Sequence, residues 1–96
     1  MEKISWLNAL TRNLINNSQL QFIKMMTFSS VNSQGLPESD ILHLRNTDAD
    51  DGCLVFDIDI RSNFAQGIKD SKNGVVCAYF PLTRQKMKFI GEIEIF

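Results

Sequence analysis

The segment FDIDIRSNF carries the first arrangement that could do chemistry: Asp57 and Asp59, two residues apart, followed at once by Arg61 and Ser62. Two carboxylates on one face of a strand can share acid–base work or hold a metal ion. No carboxylate–histidine cluster elsewhere completes such a site, so the pair reads as the solvent side of a strand. Arg61 and Ser62 stand where a helix begins. Free N–H groups at a helix start attract phosphate, and Arg45 would add a second forked cation. A plain N-cap beside an exposed arginine explains the same residues, and composition alone favours it.

Other constellations are weaker. The run DADDG, Asp48 to Gly52, suggests calcium, but its glycine comes one residue early for an EF-hand loop and strands flank it. A solvated turn is the expectation, with no metal. His43 is the sole histidine, and no nucleophile motif accompanies it. It reads as a polar residue on a sheet face. Cys53 and Cys77 have no CxxC or metal spacing and sit in apolar runs, which predicts two buried, reduced thiols.

These residues need elements to position them. Ninety-six residues predict one domain, 1–96, with a single modest core. The net charge of −1 gives no reason to expect nucleic acid or an anionic membrane as partner. No apolar run reaches membrane-spanning length, and the first residues do not read as a signal peptide, so a cytoplasmic protein is expected.

Ile4, Trp6, Leu7, Leu10, Leu14 and Ile15 fall on one half of a helical wheel, with Asn8, Arg12 and Asn16 opposite. That predicts a helix over 2–17, ended by the NNS run. Strands are expected over 20–31, over LPESDILHLRN, over CLVFDIDI and over VVCAYFPL. A closing strand has Met87, Phe89, Ile93 and Ile95 on one side. A helix over 62–72, N-capped by Ser62, interrupts the series. The order favours a mainly β, α+β fold: an antiparallel barrel or sheet with helices packed outside.

The ordered set of segments resembles the pyridoxamine 5′-phosphate oxidase-like, FMN-binding split-barrel family. Phe56, Asp59, Arg61 and Ser62 match an aromatic residue followed by D-x-R-S. Tyr79, Phe80, Pro81, Thr83, Arg84 and Gly91 match a motif of approximate form W-Y-F-P-x-T-R-E-Q-F-R-x-x-G. The resemblance implies a split β-barrel, a homodimer, and FMN held in clefts between subunits. It assigns phosphate to Arg45, Arg61 and Ser62, and the flavin ring to Lys86 or Gln85. The implied function is that of an FMN-binding, oxidase-related flavoprotein of unnamed substrate.

Departures from the pattern are specific. Asp40 stands where the family has a basic residue, and Asn63 and Phe64 where it commonly has lysine. Lys86 takes the place of a flavin-contacting glutamine, with Gln85 one step away. A one-residue step on a strand reverses the face, so Gln85 substitutes only across a bulge. The family also continues further, and the chain is expected to lack that C-terminal portion. The alternative expectation is a family member that has lost flavin and acts as a dimeric binding or scaffold module.

Overall fold

The structure is a computed structural model that describes the backbone of residues 2–95 and the side chains of residues 6–95. Ile4, expected on the apolar side of the first helix, lies outside the described side chains. Helix α1 covers Glu2–Asn16. The strands are β1 (Met25–Val31), β2 (Pro37–Asp48), β3 (Cys53–Asp57), β4 (Asn73–Phe80) and β5 (Gln85–Glu92), with α2 (Asn63–Ile68) between β3 and β4. They form one curled antiparallel sheet, ordered β3-β2-β1-β4-β5. This is the half-barrel of a split-barrel fold.

Alternation divides the sheet into two faces. Met26, Leu42, Leu44, Val76, Ala78 and Phe80 point inward and are buried. Helix α1 lies on one part of this inner face through Leu7 and Leu10, and Trp6 meets Phe89 edge-on at 5.4 Å. Helix α2 covers another part: Phe64 and Ile68 pack with Leu42, and Phe28 makes T-shaped contacts with Phe56 and Phe64. Six residues make a short helix for a chain to stabilise. Its start is fixed by Ser62, whose hydroxyl accepts the Ala65 N–H at 3.1 Å. Between the helices the inner face remains an open trough of about 1360 Å³, walled by Phe56 and Leu54 on one side and Phe89 on the other.

Several expectations change. The first strand begins at Met25, not Leu20, because residues 18–24 form successive turns. The helix expected over 62–72 stops at Ile68. The third strand ends at Asp57, and Ile60 is exposed rather than aligned with Leu54 and Phe56. Ile15 also faces solvent, at the edge of the helix's apolar half. Cys53 and Cys77 are both exposed free thiols, not buried ones. Cys77 sits in an apolar run, but its parity points it to the outer face between Thr27 and Lys88. The run misled because neighbouring apolar residues on a strand face opposite ways. The closing strand's inward series holds for Met87 and Phe89, while Ile93 and Ile95 follow β5 beyond its end, and Phe96 lies outside the described residues.

A buried amide cluster locks α1 to the β4–β5 turn. Asn17, fully buried, donates through Nδ2 to the Asn13 carbonyl at 2.8 Å and to Thr83 Oγ1 at 3.1 Å. Its Oδ1 accepts the Leu82 N–H at 2.8 Å. Asn13 donates to the Ala9 carbonyl and to Gln85 Oε1, and its Oδ1 accepts the Thr83 hydroxyl at 2.6 Å. Both hydrogens of each amide therefore have partners. Beside the cluster Arg84 adopts the left-handed conformation, φ 53°, that lets the turn reverse into β5. Replacing Asn17 by alanine removes a fully buried amide and takes the partners from the Leu82 N–H, the Thr83 hydroxyl and the Asn13 carbonyl. Asn17→Ala is expected to cost about 2–3 kcal/mol in urea unfolding, well above the roughly 1 kcal/mol typical of point substitutions.

Candidate functional site

The charged candidates lie on the outer face, opposite the side that carries the helices and the open trough. Register sets its residues in transverse rows. Asp57 is opposite His43, and His43 is opposite Met25. The β1–β4 register, continued two residues past Thr27 and Cys77, brings Tyr79 beside Met25. Tyr79 is opposite Lys86. One row across the sheet therefore reads Asp57, His43, Met25, Tyr79 and Lys86. The next row reads Ile41, Thr27, Cys77 and Lys88. Tyr79 and Ile41 are each about 60% exposed, so the face offers apolar area as well as charge.

Arg45 joins the Asp57 end of this row. The β2–β3 register shifts between Leu44 and Asn46, which makes Arg45 the extra residue of a bulge. Its Nη1 donates to Asp57 Oδ1 at 2.7 Å, and His43 Nδ1 lies 3.7 Å from Asp57 Oδ2. The hydrogen bond from Arg45, and then the opposite charge of Asp57, hold the arginine proton more tightly than usual. Arg61 is held in the same manner. Its Nε and Nη2 donate to the two oxygens of Asp59 at 3.1 and 3.3 Å, and its backbone N–H adds a third bond. The Arg61 side chain and then its backbone N–H keep the Asp59 carboxyl below its usual range. Both pairs are open to water: the Arg45 and Arg61 side chains are 70% and 87% exposed. Exposed pairs of this kind are held weakly against water, so a stronger anion can displace the carboxylate.

The structure thus separates the sequence candidates. Arg45 and Lys86 lie on one face, three strand spacings apart, or about 14 Å. Arg61 and Ser62 lie beyond β3 at the start of α2, with the Ser62 hydroxyl occupied as the helix cap. Gln85 is on the other face: its Oε1 accepts from Asn13 in the amide cluster. No bulge interrupts the β4–β5 register from Phe80–Gln85 to Asn73–Glu92, so Gln85 does not reach the outer row. Asp40 is opposite Phe28 and so has the inward parity, away from Arg45. Phe64, in a family lysine position, is buried in the α2 contact. The run at Asp48 works as a turn, with Asp48 Oδ1 accepting the N–H groups of Asp50 and Asp51. Tyr79 and His43 enter the row only through strand register, which periodicity in one segment does not reveal. Asn17 gave no sequence signal beyond its amide chemistry, and Asn13 only its place with Trp6 and Leu10 on the first helix of the resembling set.

The model of the pyridoxamine 5′-phosphate oxidase FMN-binding domain matches residues 3–96. The chain belongs to this family. A crystal structure of a pyridoxamine 5′-phosphate oxidase-related, FMN binding protein from Nostoc punctiforme PCC 73102 superposes with a TM-score of 0.83 at 29% identity. The match covers 91% of this chain and 46% of that one, so the chain spans less than half the length of its structural relative. No curated protein matches. Among the described residues no helix is long and apolar enough to cross a membrane.

The opposite roles of two adjacent residues can be measured. Gln85→Ala removes a partly buried acceptor and is expected to lower stability by about 1 kcal/mol. Lys86→Ala is expected to stay within about 0.5 kcal/mol of the parent. Urea midpoints of the two variants, measured side by side, report the difference.

Proposed function

We propose that this family member binds FMN against the outer sheet face, as an oxidase-related flavoprotein domain whose phosphate grip is weakened. One observation carries the reading: a single row places Arg45 at one end and Tyr79 with Lys86 at the other. FMN is a phosphate joined by a ribityl chain to a flat ring, and such a row offers a cation for the first and an aromatic–cation pair for the last. The donor chemistry fits. Arg45 spends one nitrogen on Asp57, and Arg61 leaves Nη1 unused by Asp59, so both retain N–H donors for an anion.

In this role Arg45 holds the phosphate, and Lys86 faces the ring edge; Arg61 is a second candidate cation at the start of α2. Tyr79 supplies apolar contact area, and Met25 floors the row. A bound flavin supplies the redox chemistry, and the protein supplies position, electrostatics and exclusion of water. Two subunits sharing the cleft is the arrangement the family resemblance implies. The oxidisable substrate is a further step that no side chain here selects.

A second reading has its own support. Asp57 and Asp59 already neutralise the two cations, and Phe64 is committed to the core. A chain with these pairs in place also suits a flavin-free binding or scaffold module.

Titration with FMN, followed by flavin fluorescence, distinguishes the two. Binding in the micromolar range, clearly weakened by Arg45→Ala, is expected of the first, since that variant removes the charge-assisted bonds to the phosphate. Asp57→Asn releases Arg45 and is expected to tighten binding several-fold. No quenching by the parent or by Asp57→Asn, up to high micromolar FMN, supports the flavin-free module instead.

A further inference from the structure

The flavin reading leaves His43 without a task, yet the residue stands inside the site. It is the sole histidine of the chain. Strand register puts it on the outer face, between Asp57 of β3 and Met25 of β1. A phosphate held at Arg45, with its chain running toward Tyr79 and Lys86, passes over this ring. Imidazole is the one side chain whose charge ordinarily changes between about pH 5 and 8.

Arg45 and His43 share one carboxylate. Arg45 Nη1 donates to Asp57 Oδ1 at 2.7 Å, and His43 Nδ1 lies 3.7 Å from Asp57 Oδ2. The first contact is a charge-assisted hydrogen bond, and the second is too long for any hydrogen bond. One oxygen of Asp57 is therefore engaged and the other is waiting. With an uncharged ring the trio is neutral, and an arriving dianion meets Asp57 as well as Arg45. With a charged ring the trio is singly positive, and both ring nitrogens can donate.

We infer that His43 is the proton-operated member of the anion grip: as an imidazolium it takes up the second oxygen of Asp57 and, together with Arg45, holds the phosphate. The inference rests on the phosphate end of the proposed site and not on the flavin ring.

The surroundings leave this role to three groups. On β2 itself, the residues two steps from His43 are Ile41 and Arg45. On β1 the residue opposite is the uncharged Met25, with Lys24 one step before the strand. Beyond the end of β3, Asp59 is bound to Arg61. Both helices pack on the other face. The proton at His43 thus answers to Asp57, which attracts it, and to Arg45, which opposes it. A bound anion tips that balance toward the proton, and by linkage the proton favours the anion by the same factor. One added charge roughly 5–7 Å from a dianion, in a site open to water, changes affinity about three- to tenfold.

The test uses the full chain with sulfate as the probe, whose charge does not change across the titration range of imidazole. Sulfate titrations at constant ionic strength, followed by proton–nitrogen NMR spectra, are made at about pH 5.5 and about pH 8, near the two ends of that range. Sulfate is expected to bind about three- to tenfold more tightly at the lower pH. In His43→Gln that preference is expected to vanish. The ring resonance of the sole histidine gives the converse reading. Its titration midpoint is expected to rise when sulfate is added. It is expected to fall in Asp57→Asn, where Arg45 faces the ring without the carboxylate. Both substituted positions are exposed, and circular dichroism checks that each variant is folded. A parent that binds sulfate equally at both pH values or not at all, a preference kept by His43→Gln, or a midpoint that ignores sulfate or Asp57→Asn would each overturn the inference. FMN titrated under the same conditions separates this result from the flavin reading. Sulfate held in the expected manner without any FMN binding supports the grip and removes the flavin. FMN bound with the same pH dependence in the parent and in His43→Gln does the reverse.

Discussion

The amide cluster of Asn13, Asn17 and Thr83 is the constraint on which the functional face depends. It fixes the end of α1 against the turn that launches β5. Because Gln85 is tied into it, Lys86 must point the other way. The same tie sets the parity of every later residue: Met87 and Phe89 go to the core, and Lys88 and Ile90 to the outside. A polar contact at the far end of a helix thus decides which side chains a ligand can meet. It does so because buried amides are costly to leave unpaired, which makes the cluster intolerant of slippage.

The large plan of the molecule was legible in the sequence for a physical reason. The period of α1, the alternation in β4 and β5 and the Ser62 cap are local signals, and local signals were enough to order the elements. Family motifs at Asp59, Arg61, Ser62 and Tyr79 to Arg84 added the split-barrel fold. Extents were less legible. Residues 20–24 are β-prone but turn, since tertiary pairing begins only where Met25 meets His43. Cys77 looked buried because its neighbours are apolar, and Ile60 looked aligned because the strand was assumed to continue.

The candidate site was legible as residue types and illegible as partnerships. Arg45 and Arg61 are recognisable as phosphate ligands on paper. That each is answered by a carboxylate from its own chain follows from a bulge at Arg45 and a tight turn after Asp59. The row from Asp57 to Lys86 exists only once five strands are in register. Charge balance explains why a net charge of −1 says so little here. The outer face is a local mosaic of cations, anions and exposed apolar groups, and the sum of its charges hides the pattern.

The misplaced expectation about Cys77 has a useful side. Its sulfur stands in the middle of the outer face, one residue row from Tyr79 and directly across from Lys88. A thiol at that position is a built-in gauge of occupancy. Whatever comes to lie on this face must pass over it, so the speed at which the sulfur meets small reagents is a running record of whether the face is bare or covered.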